Sequence, residues 1–297
     1  MTGFARRDLL KAAIGGALVL GAEGKLVGAQ AQSESTWQRV LRTKRVQIGS
    51  SNSEPYSYLD PGGKIVGQGV DVLQAALSEH GTFEIIGSVG AFASLIPGLL
   101  ANRFDVINSG VNIRPARCQQ VLFGNPDSLG HDAFAVKQGN PLNIHSYDDV
   151  ARNPKARISF IRGSIEEGYA KRANIPESQW LVLTTDQEIL AAVQSGRADV
   201  AASAAIVLIM LLKKMNDPSI EMATPFQVPV GSNGKPEIDY SAMCFRKEDA
   251  DFKKAYDAGL AKLIANGELQ KINAKWGLLP DMTPNARMSM AEEVCKG

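Results

Sequence analysis

The sequence predicts an α/β protein with two lobes. Short apolar segments typical of strands alternate with amphipathic helical segments, which favours parallel sheets joined by right-handed crossovers. The length of 297 residues corresponds to two domains at roughly 150 residues each. The composition, with 44% hydrophobic and 21% charged residues, is that of an ordinary globular protein.

The predicted elements follow one another in a regular order. We expect strands at residues 46–49, 83–86, 105–107, 158–161, 181–183 and 200–202. We expect helices at 70–77, after Ser94, and after each of the last three strands. Capping boxes at Ser164 with Glu167 and at Thr185 with Glu188 predict two helix starts. Two more helices are expected near the C terminus, separated by Gly267.

The first 31 residues have the features of an export signal. Arg6 and Arg7 precede an apolar stretch rich in glycine and alanine at residues 12–22, and small residues follow up to Ala31. This order is typical of a twin-arginine signal, and a Sec signal that happens to carry two arginines is the alternative. We therefore expect cleavage near Ala31 and a periplasmic mature protein, and residues 1–31 are left out of the fold prediction.

Charge and motif content argue against several classes of function. The 32 basic and 31 acidic residues nearly cancel, which gives no basic footprint for nucleic acid. Outside the signal, the longest apolar run, residues 204–212, is too short to cross a membrane. The sequence has no motif of a serine hydrolase, zinc protease or P-loop, and its three histidines are scattered. We therefore expect a binding protein rather than an enzyme, with no cofactor and no metal.

Export makes a disulfide possible, and three cysteines allow one intramolecular bridge. Cys244 lies in an apolar run typical of a strand and is predicted to be a buried free thiol. Cys118 and Cys295 lie in polar sequence, so we favour this pair for the disulfide.

Four short motifs together resemble the periplasmic solute-binding proteins of polar amino-acid ABC importers (family 3). They are EPYSY at residues 54–58, IRPARC at 113–118, GRADV at 196–200 and KWG at 275–277. Within that family the chain is most similar to the branch that binds ectoine and hydroxyectoine. The supporting features are the segments IPGLLANRFDVINSG, RPARC and AFAVKQGNPL and a cysteine near the C terminus.

The resemblance implies the fold of a type II periplasmic binding protein, with two lobes, mixed sheets flanked by helices, and two hinge strands. The first lobe would comprise residues 32–132 and 238–297, and the second residues 133–237. Closure about the hinge would enclose the ligand. The implied partners are a small zwitterionic ligand and an ABC permease in the inner membrane, and we expect a monomer that binds no nucleic acid.

The resemblance also implies a site for a carboxylate. Arg117 aligns with the arginine that binds the ligand carboxylate in the family, and its planar guanidinium matches a carboxylate bidentately. The alternative is a solvated arginine in a helical turn beside Arg114. Gly163, Ser164 and Ile165 fall where the family presents a helix N-terminus to the same carboxylate, a natural anion site. The alternative there is simple capping by Ser164.

The cationic end of the ligand is expected to meet aromatic and acidic residues. Tyr56 and Phe92 fall where the branch has aromatic walls, which attract a delocalised cation, whereas core packing is the alternative. Glu54 matches an acidic residue near the ligand cation, and a surface carboxylate is its alternative. Asn112 replaces a third aromatic residue and can hydrogen-bond a hydroxyl or amide of the ligand.

One substitution bears on the class of ligand. Ala204 stands where the wider family has the aspartate that pairs with the α-ammonium of an amino acid, and the neighbouring Ser203 is a weak substitute. An ordinary α-amino acid would leave its ammonium poorly paired in such a cleft. We therefore expect an ectoine-like compatible solute, or an amino-acid derivative, with a delocalised or shielded cation.

Two other functions stay open. An enzyme on the same scaffold, similar to the cyclohexadienyl dehydratases, would need a buried carboxylate as general acid or base, and Glu54 is the candidate. A sensor that reports to a membrane receptor would close in the same way as an importer subunit.

Overall fold

The computed structural model describes residues 34–231, 234–285 and 290–296. The predicted export signal at residues 1–31 lies outside the described residues. What is described forms two mixed sheets, each flanked by helices, and a small two-stranded sheet.

The first part of the chain builds most of one sheet. This part of the chain contains the strands β1 (Arg45–Ser50), β2 (Tyr58–Leu59), β3 (Ile65–Val66), β4 (Glu84–Val89), β5 (Val106–Asn112), β6 (Leu122–Phe123) and β7 (Ser128–Gly130). Of these, β2 and β3 form the small two-stranded sheet. Its helices are α1 (Thr36–Thr43), α2 (Gln68–Ala76), α3 (Leu95–Leu100) and α4 (Pro115–Cys118).

The middle part builds the second sheet. Its strands are β8 (Asp132–Lys137), β9 (Ile158–Ile161), β10 (Trp180–Leu183), β11 (Val200–Ala204) and β12 (Ile220–Met222). Its helices are α5 (Tyr147–Arg152), α6 (Ile165–Arg172), α7 (Asp186–Gln194) and α8 (Ala205–Met215).

The last part returns to the first sheet. It contains β13 (Asp239–Phe245), α9 (Ala250–Ala265), α10 (Glu268–Lys275) and α11 (Ala291–Val294). Among the described residues, the first sheet has the strand order β4-β1-β5-β13-β6, and β7 also pairs with β13. The second has the order β10-β9-β11-β8-β12. The chain therefore crosses from one sheet to the other between β7 and β8 and crosses back before β13.

The strand directions match this path. In the first sheet β1 is parallel to β4 and β5, whereas β13 is antiparallel to β5. In the second sheet β9 is parallel to β10 and β11, whereas β8 is antiparallel to β11. Each sheet therefore combines parallel crossover strands with one antiparallel strand that lies next to a crossing segment. The exact lobe limits stay a prediction.

The apolar core of the second lobe includes residues from the first lobe and the C-terminal segment. Tyr56, Leu278 and Met282 are buried in the same apolar cluster as Ile206 and Val207 of α8. The two lobes are therefore joined by shared packing as well as by the two crossing segments.

One of the two predicted capping boxes is confirmed. The hydroxyl of Thr185 accepts the backbone N–H of Glu188, and the Glu188 carboxylate accepts the N–H of Thr185. The box at Ser164 is wrong, because the Ser164 side chain makes no capping bond. Glu167 accepts the N–H of Gly163 instead, one residue too early for a capping box.

Candidate ligand-binding cleft

A cleft lies between the two lobes. From the first lobe it is lined by Ser51, Ser53, Tyr56, Phe92, Gly110 and Asn112. From the second lobe it is lined by Ser164, Ile165, Glu166, Asp186, Ser203 and Ala204. The cavity has a volume of about 50 Å³, which is room for a few water molecules, and the bonds from Ser53 to Asp186 and from Arg117 to Gly163 join the two lobes beside it.

Most of the predicted site residues meet at this cleft. Tyr56, Phe92, Asn112, Ser164 and Ile165 line the cavity itself. Arg117 and Gly163 line an adjoining groove of about 310 Å³ that shares Phe92 with the cavity. Among the described residues, only Glu54 of the predicted set contributes to neither lining.

Arg117 reaches from one lobe to the other. Its Nη1 donates to the carbonyl oxygen of Asn112 at 2.8 Å, and its Nη2 donates to the carbonyl oxygen of Gly163 at 2.9 Å. Its guanidinium carbon lies 5.4 Å from the centroid of the Phe92 ring. Burial lowers the pKa of Arg117. Within the described ranges no carboxylate forms an ion pair with Arg117, so its charge is available to an anion.

The neighbouring arginine has a different environment. The Nη2 of Arg114 donates to Asp239 at 2.5 Å and to the hydroxyl of Tyr169 at 2.9 Å, and it lies 3.4 Å from Glu237. Arg172 of α6 also pairs with Glu237, at 2.7 Å. Arg114 is therefore neutralised in an ionic network that links the two lobes, whereas Arg117 is not.

The N-terminus of α6 is partly satisfied by the chain itself. The N–H of Gly163 donates to Glu167 at 2.9 Å, and the N–H of Ser164 donates to the carbonyl of Ile161 at 3.2 Å. Burial raises the pKa of Glu166 to about 7. A ligand carboxylate at this helix start would therefore lie beside a carboxyl group that is half protonated near neutral pH.

Tyr56 forms a closely packed wall of the cavity. It is 7% exposed, and it contacts Gly110, where an added Cβ would lie 2.5 Å from a ring carbon. The backbone of Gly110 has a φ of +61°, a region that favours glycine. Burial raises the pKa of Tyr56. The ring thus packs closely against β5 at Gly110.

Asn112 lies between the cavity and β13. Its Nδ2 lies 3.4 Å from the Ser241 hydroxyl, at the outer limit of a hydrogen bond, and its own carbonyl accepts Arg117. The side chain is therefore only weakly engaged, and it lines the cavity.

Glu54 has a protein partner outside the cavity. Its carboxylate accepts Nζ of Lys214 on α8 at 2.9 Å. Because this ion pair compensates the charge, the geometry does not bring Glu54 to the position of a counter-ion for a bound ligand. The predicted role of Glu54 as a general acid or base finds no support in this contact either.

Asp186 is a cleft residue that the sequence analysis missed. It is the first residue of α7, it is 6% exposed, and its carboxylate accepts Ser53 Oγ at 2.7 Å and Ser203 Oγ at 3.0 Å. Burial raises the pKa of Asp186, and the two hydroxyl bonds oppose that rise. The inference from Ala204 that the cleft offers no anion to an ammonium is therefore incomplete. The sequence does show an acidic residue at the start of the helix that follows β10. The capping box at Thr185 and Glu188 was enough to explain that helix start, so no role in the cleft was inferred.

The cysteines lie next to the site. A disulfide joins Cys118, which follows Arg117 directly, to Cys295 after α11, and it is the pair favoured from the sequence. Cys244 is a free thiol buried in β13, and burial raises its pKa.

A larger groove of about 410 Å³ lies on the second lobe, lined by Tyr147, Tyr169, Arg172, Pro229 and Val230 among others. It draws no residue from the first lobe, so closure cannot enclose a ligand there.

Among the residues the structure describes, no group of His, Cys, Asp or Glu side chains could hold a metal ion. The described helices are all too short or too polar to span a bilayer.

Two α/β lobes with a polar cleft between them are the architecture of a solute-binding protein. The chain belongs to the bacterial extracellular solute-binding proteins, family 3, whose sequence profile matches residues 46–279. The predicted family and the predicted two-lobed fold are both confirmed.

The relatives include proteins of amino-acid transport. The chain is 33% identical, over 94% of its length and 92% of the relative, to the probable amino-acid ABC transporter periplasmic-binding protein y4tE of Sinorhizobium fredii. It is similar to EhuB in complex with hydroxyectoine, with 30% identity, a TM-score of 0.79, and coverage of 88% of this chain and 98% of the other.

A third similarity concerns the fold alone. The ancestral amino acid-binding protein AncCDT-1, a precursor of cyclohexadienyl dehydratase, has a TM-score of 0.70 at 22% identity. The match covers 82% of this chain and 99% of that chain.

Proposed function

We propose that this protein is the periplasmic binding subunit of an ABC importer and captures a small zwitterionic solute, an ectoine-like compound or an amino-acid derivative. The observation that carries the proposal is the position of Arg117. It is a cleft arginine that hydrogen-bonds backbone carbonyls of both lobes and has no ion-pair partner within the described residues.

Capture would depend on exchange of these bonds. A ligand carboxylate can replace the carbonyl oxygens of Asn112 and Gly163 as the acceptor of the guanidinium, and the charge-assisted pair is stronger than the bonds it replaces. Because Arg117 belongs to the first lobe and the start of α6 to the second, a carboxylate that contacts both binds the closed form better than the open form. The ligand therefore stabilises closure by this difference in affinity.

The walls of the cleft support a flat, delocalised cation. Tyr56 and Phe92 both line the cavity, and Asn112 contributes an amide that is only weakly engaged. The similarity to EhuB, whose structure contains hydroxyectoine, supports the same class of ligand. Export by the signal at residues 1–31, delivery to a permease and a monomeric state belong to this proposal. A sensor role would use the same capture step and differ only in the membrane partner.

Calorimetric titration with ectoine, hydroxyectoine, glycine betaine and the standard amino acids tests the proposal. We expect binding of an ectoine, and we expect Arg117→Ala to weaken it by at least about 30-fold, because truncation of one partner leaves a buried charge unpaired. Arg197→Ala is the matched control, since Arg197 is exposed and lies outside the cleft linings. Unchanged affinity in Arg117→Ala would refute the assignment.

The enzyme alternative would rest on Glu166 rather than on Glu54. Glu166 lines the cavity, and burial raises its pKa to about 7, which suits a general acid or base at neutral pH. Incubation of prephenate or arogenate with the purified protein tests this alternative. Substrate loss that disappears in Glu166→Gln would support the enzyme, and a stable substrate would exclude it.

A further inference from the structure

We propose that Asp186 is the counter-ion for the ligand cation and selects ligands whose cationic group carries N–H donors. This inference rests on the proposed function, because it assigns the second charged end of the same cleft. It replaces the expectation, drawn from Ala204, that the cleft has no carboxylate for an N–H-bearing cation.

The carboxylate of Asp186 has unused capacity for hydrogen bonds. A carboxylate offers about four lone-pair sites. Ser53 donates to one oxygen and Ser203 to the other, so each oxygen keeps a site for a further donor. Because Asp186 lines the cavity, a bound ligand is the natural source of those donors.

The charge of Asp186 is likewise uncompensated. It is 6% exposed, and no ion pair found among residues 34–231, 234–285 and 290–296 includes it. Two hydroxyl donors and its place in the first turn of α7 offset only part of the cost of burying an anion. A ligand cation beside Asp186 supplies the missing opposite charge.

Arg117 and Asp186 give the cleft two charged ends. Arg117 lines the groove that shares Phe92 with the cavity, and Asp186 lines the cavity itself. A zwitterion can therefore place its carboxylate at Arg117 and its cation at Asp186, with Phe92 between the two. An amidinium or ammonium donates N–H bonds to Asp186, whereas a quaternary ammonium has none to donate.

The variant Ser53→Ala distinguishes the effect of the Asp186 charge from the effect of the contact between the two lobes. The Ser53 hydroxyl belongs to the first lobe and Asp186 to the second, so their bond also links the closed lobes. Ser53→Ala removes that link and keeps the carboxylate, whereas Asp186→Asn removes the charge and keeps a side chain of nearly the same shape.

The test is calorimetric titration of the full mature chain with hydroxyectoine, L-arginine and glycine betaine. We expect Asp186→Asn to weaken binding of the N–H-bearing ligand at least about tenfold, since a hydrogen bond to a charged group is lost. We expect glycine betaine binding to weaken by a smaller factor in this variant, because a quaternary ammonium loses the attraction of the charge but no hydrogen bond. Ser53→Ala should weaken the binding of all three ligands by about the same factor, because it removes a contact of the closed form and keeps the carboxylate.

The possible results separate this inference from the proposed function. Loss of binding in Arg117→Ala with unchanged binding in Asp186→Asn would overturn the role of Asp186 alone. Equal weakening of both classes of ligand in Asp186→Asn, or a Ser53→Ala variant that discriminates between the two classes as Asp186→Asn does, would overturn the selectivity. Wild-type protein that binds only glycine betaine would do the same. No binding of any of the three ligands would overturn the proposed function and this inference together.

Discussion

Replacement of Gly110 by alanine is expected to push Tyr56 out of the cleft wall. An added Cβ would lie 2.5 Å from the Tyr56 ring, whereas carbon atoms in contact prefer about 3.5–4.0 Å. The ring must therefore move by about 1 Å or the backbone must shift. The φ of +61° adds a second penalty, because only glycine adopts it readily.

The two penalties set the expected size of the effect. Overpacking costs about 1–3 kcal/mol, and a left-handed backbone costs about 1–2 kcal/mol for a residue with a side chain. We therefore expect Gly110→Ala to lower the free energy of unfolding by about 2–5 kcal/mol and to weaken ligand binding, because Tyr56 is part of the cavity wall.

Urea unfolding followed by circular dichroism, together with calorimetric titration, measures both effects. Gly130→Ala is the matched control, because a Cβ added at Gly130 meets nothing within 4 Å and its φ is not in the left-handed region. The control should change the free energy of unfolding by less than about 0.5 kcal/mol. A Gly110→Ala variant as stable as the control would refute the packing argument.

Two further predictions concern stability. The double variant Cys118→Ser and Cys295→Ser should lose about 2–4 kcal/mol of unfolding free energy, because the disulfide closes a loop between residues 177 positions apart. Urea unfolding of the wild type with and without reductant should reproduce this loss. An unchanged urea midpoint would contradict it. Folding raises the pKa of Glu166 from 4.5 to about 7, so the native state binds the extra proton between these pH values. The free energy of unfolding of the wild type should therefore fall by about 3 kcal/mol as the pH rises from about 4.5 to about 7. Glu166→Gln should flatten this part of the pH profile, and a variant with the same slope as the wild type would show that another group titrates.

The fold was predictable because it rests on local patterns. Strand-like runs, Gly267 between α9 and α10, and the capping box at Thr185 all depend on neighbouring residues, and the structure has each of them. The box at Ser164 failed although its residue types fit, because Glu167 bonds the N–H of Gly163. Spacing restricts which groups can meet but does not decide which donor a flexible carboxylate reaches.

The cleft was predictable only in part, because its contacts join distant residues. Asp186 meets Ser53 across 133 positions, and no local pattern distinguishes this aspartate from an ordinary acidic residue in a first helical turn. The close approach of Gly110 to Tyr56 is equally invisible in sequence. Glu54 shows the converse, since a matching motif did not reveal that Lys214 compensates its charge.

The packing of Tyr56, Leu278 and Met282 into the core of the second lobe has a consequence for how the protein denatures. A second lobe excised at the two crossing segments would lose buried side chains of its own core, and the hole would expose Ile206 and Val207 to water. We therefore expect the two lobes to unfold together as one cooperative unit. Calorimetry of the intact chain should give a single transition, with equal calorimetric and van't Hoff enthalpies, although the protein moves as two bodies.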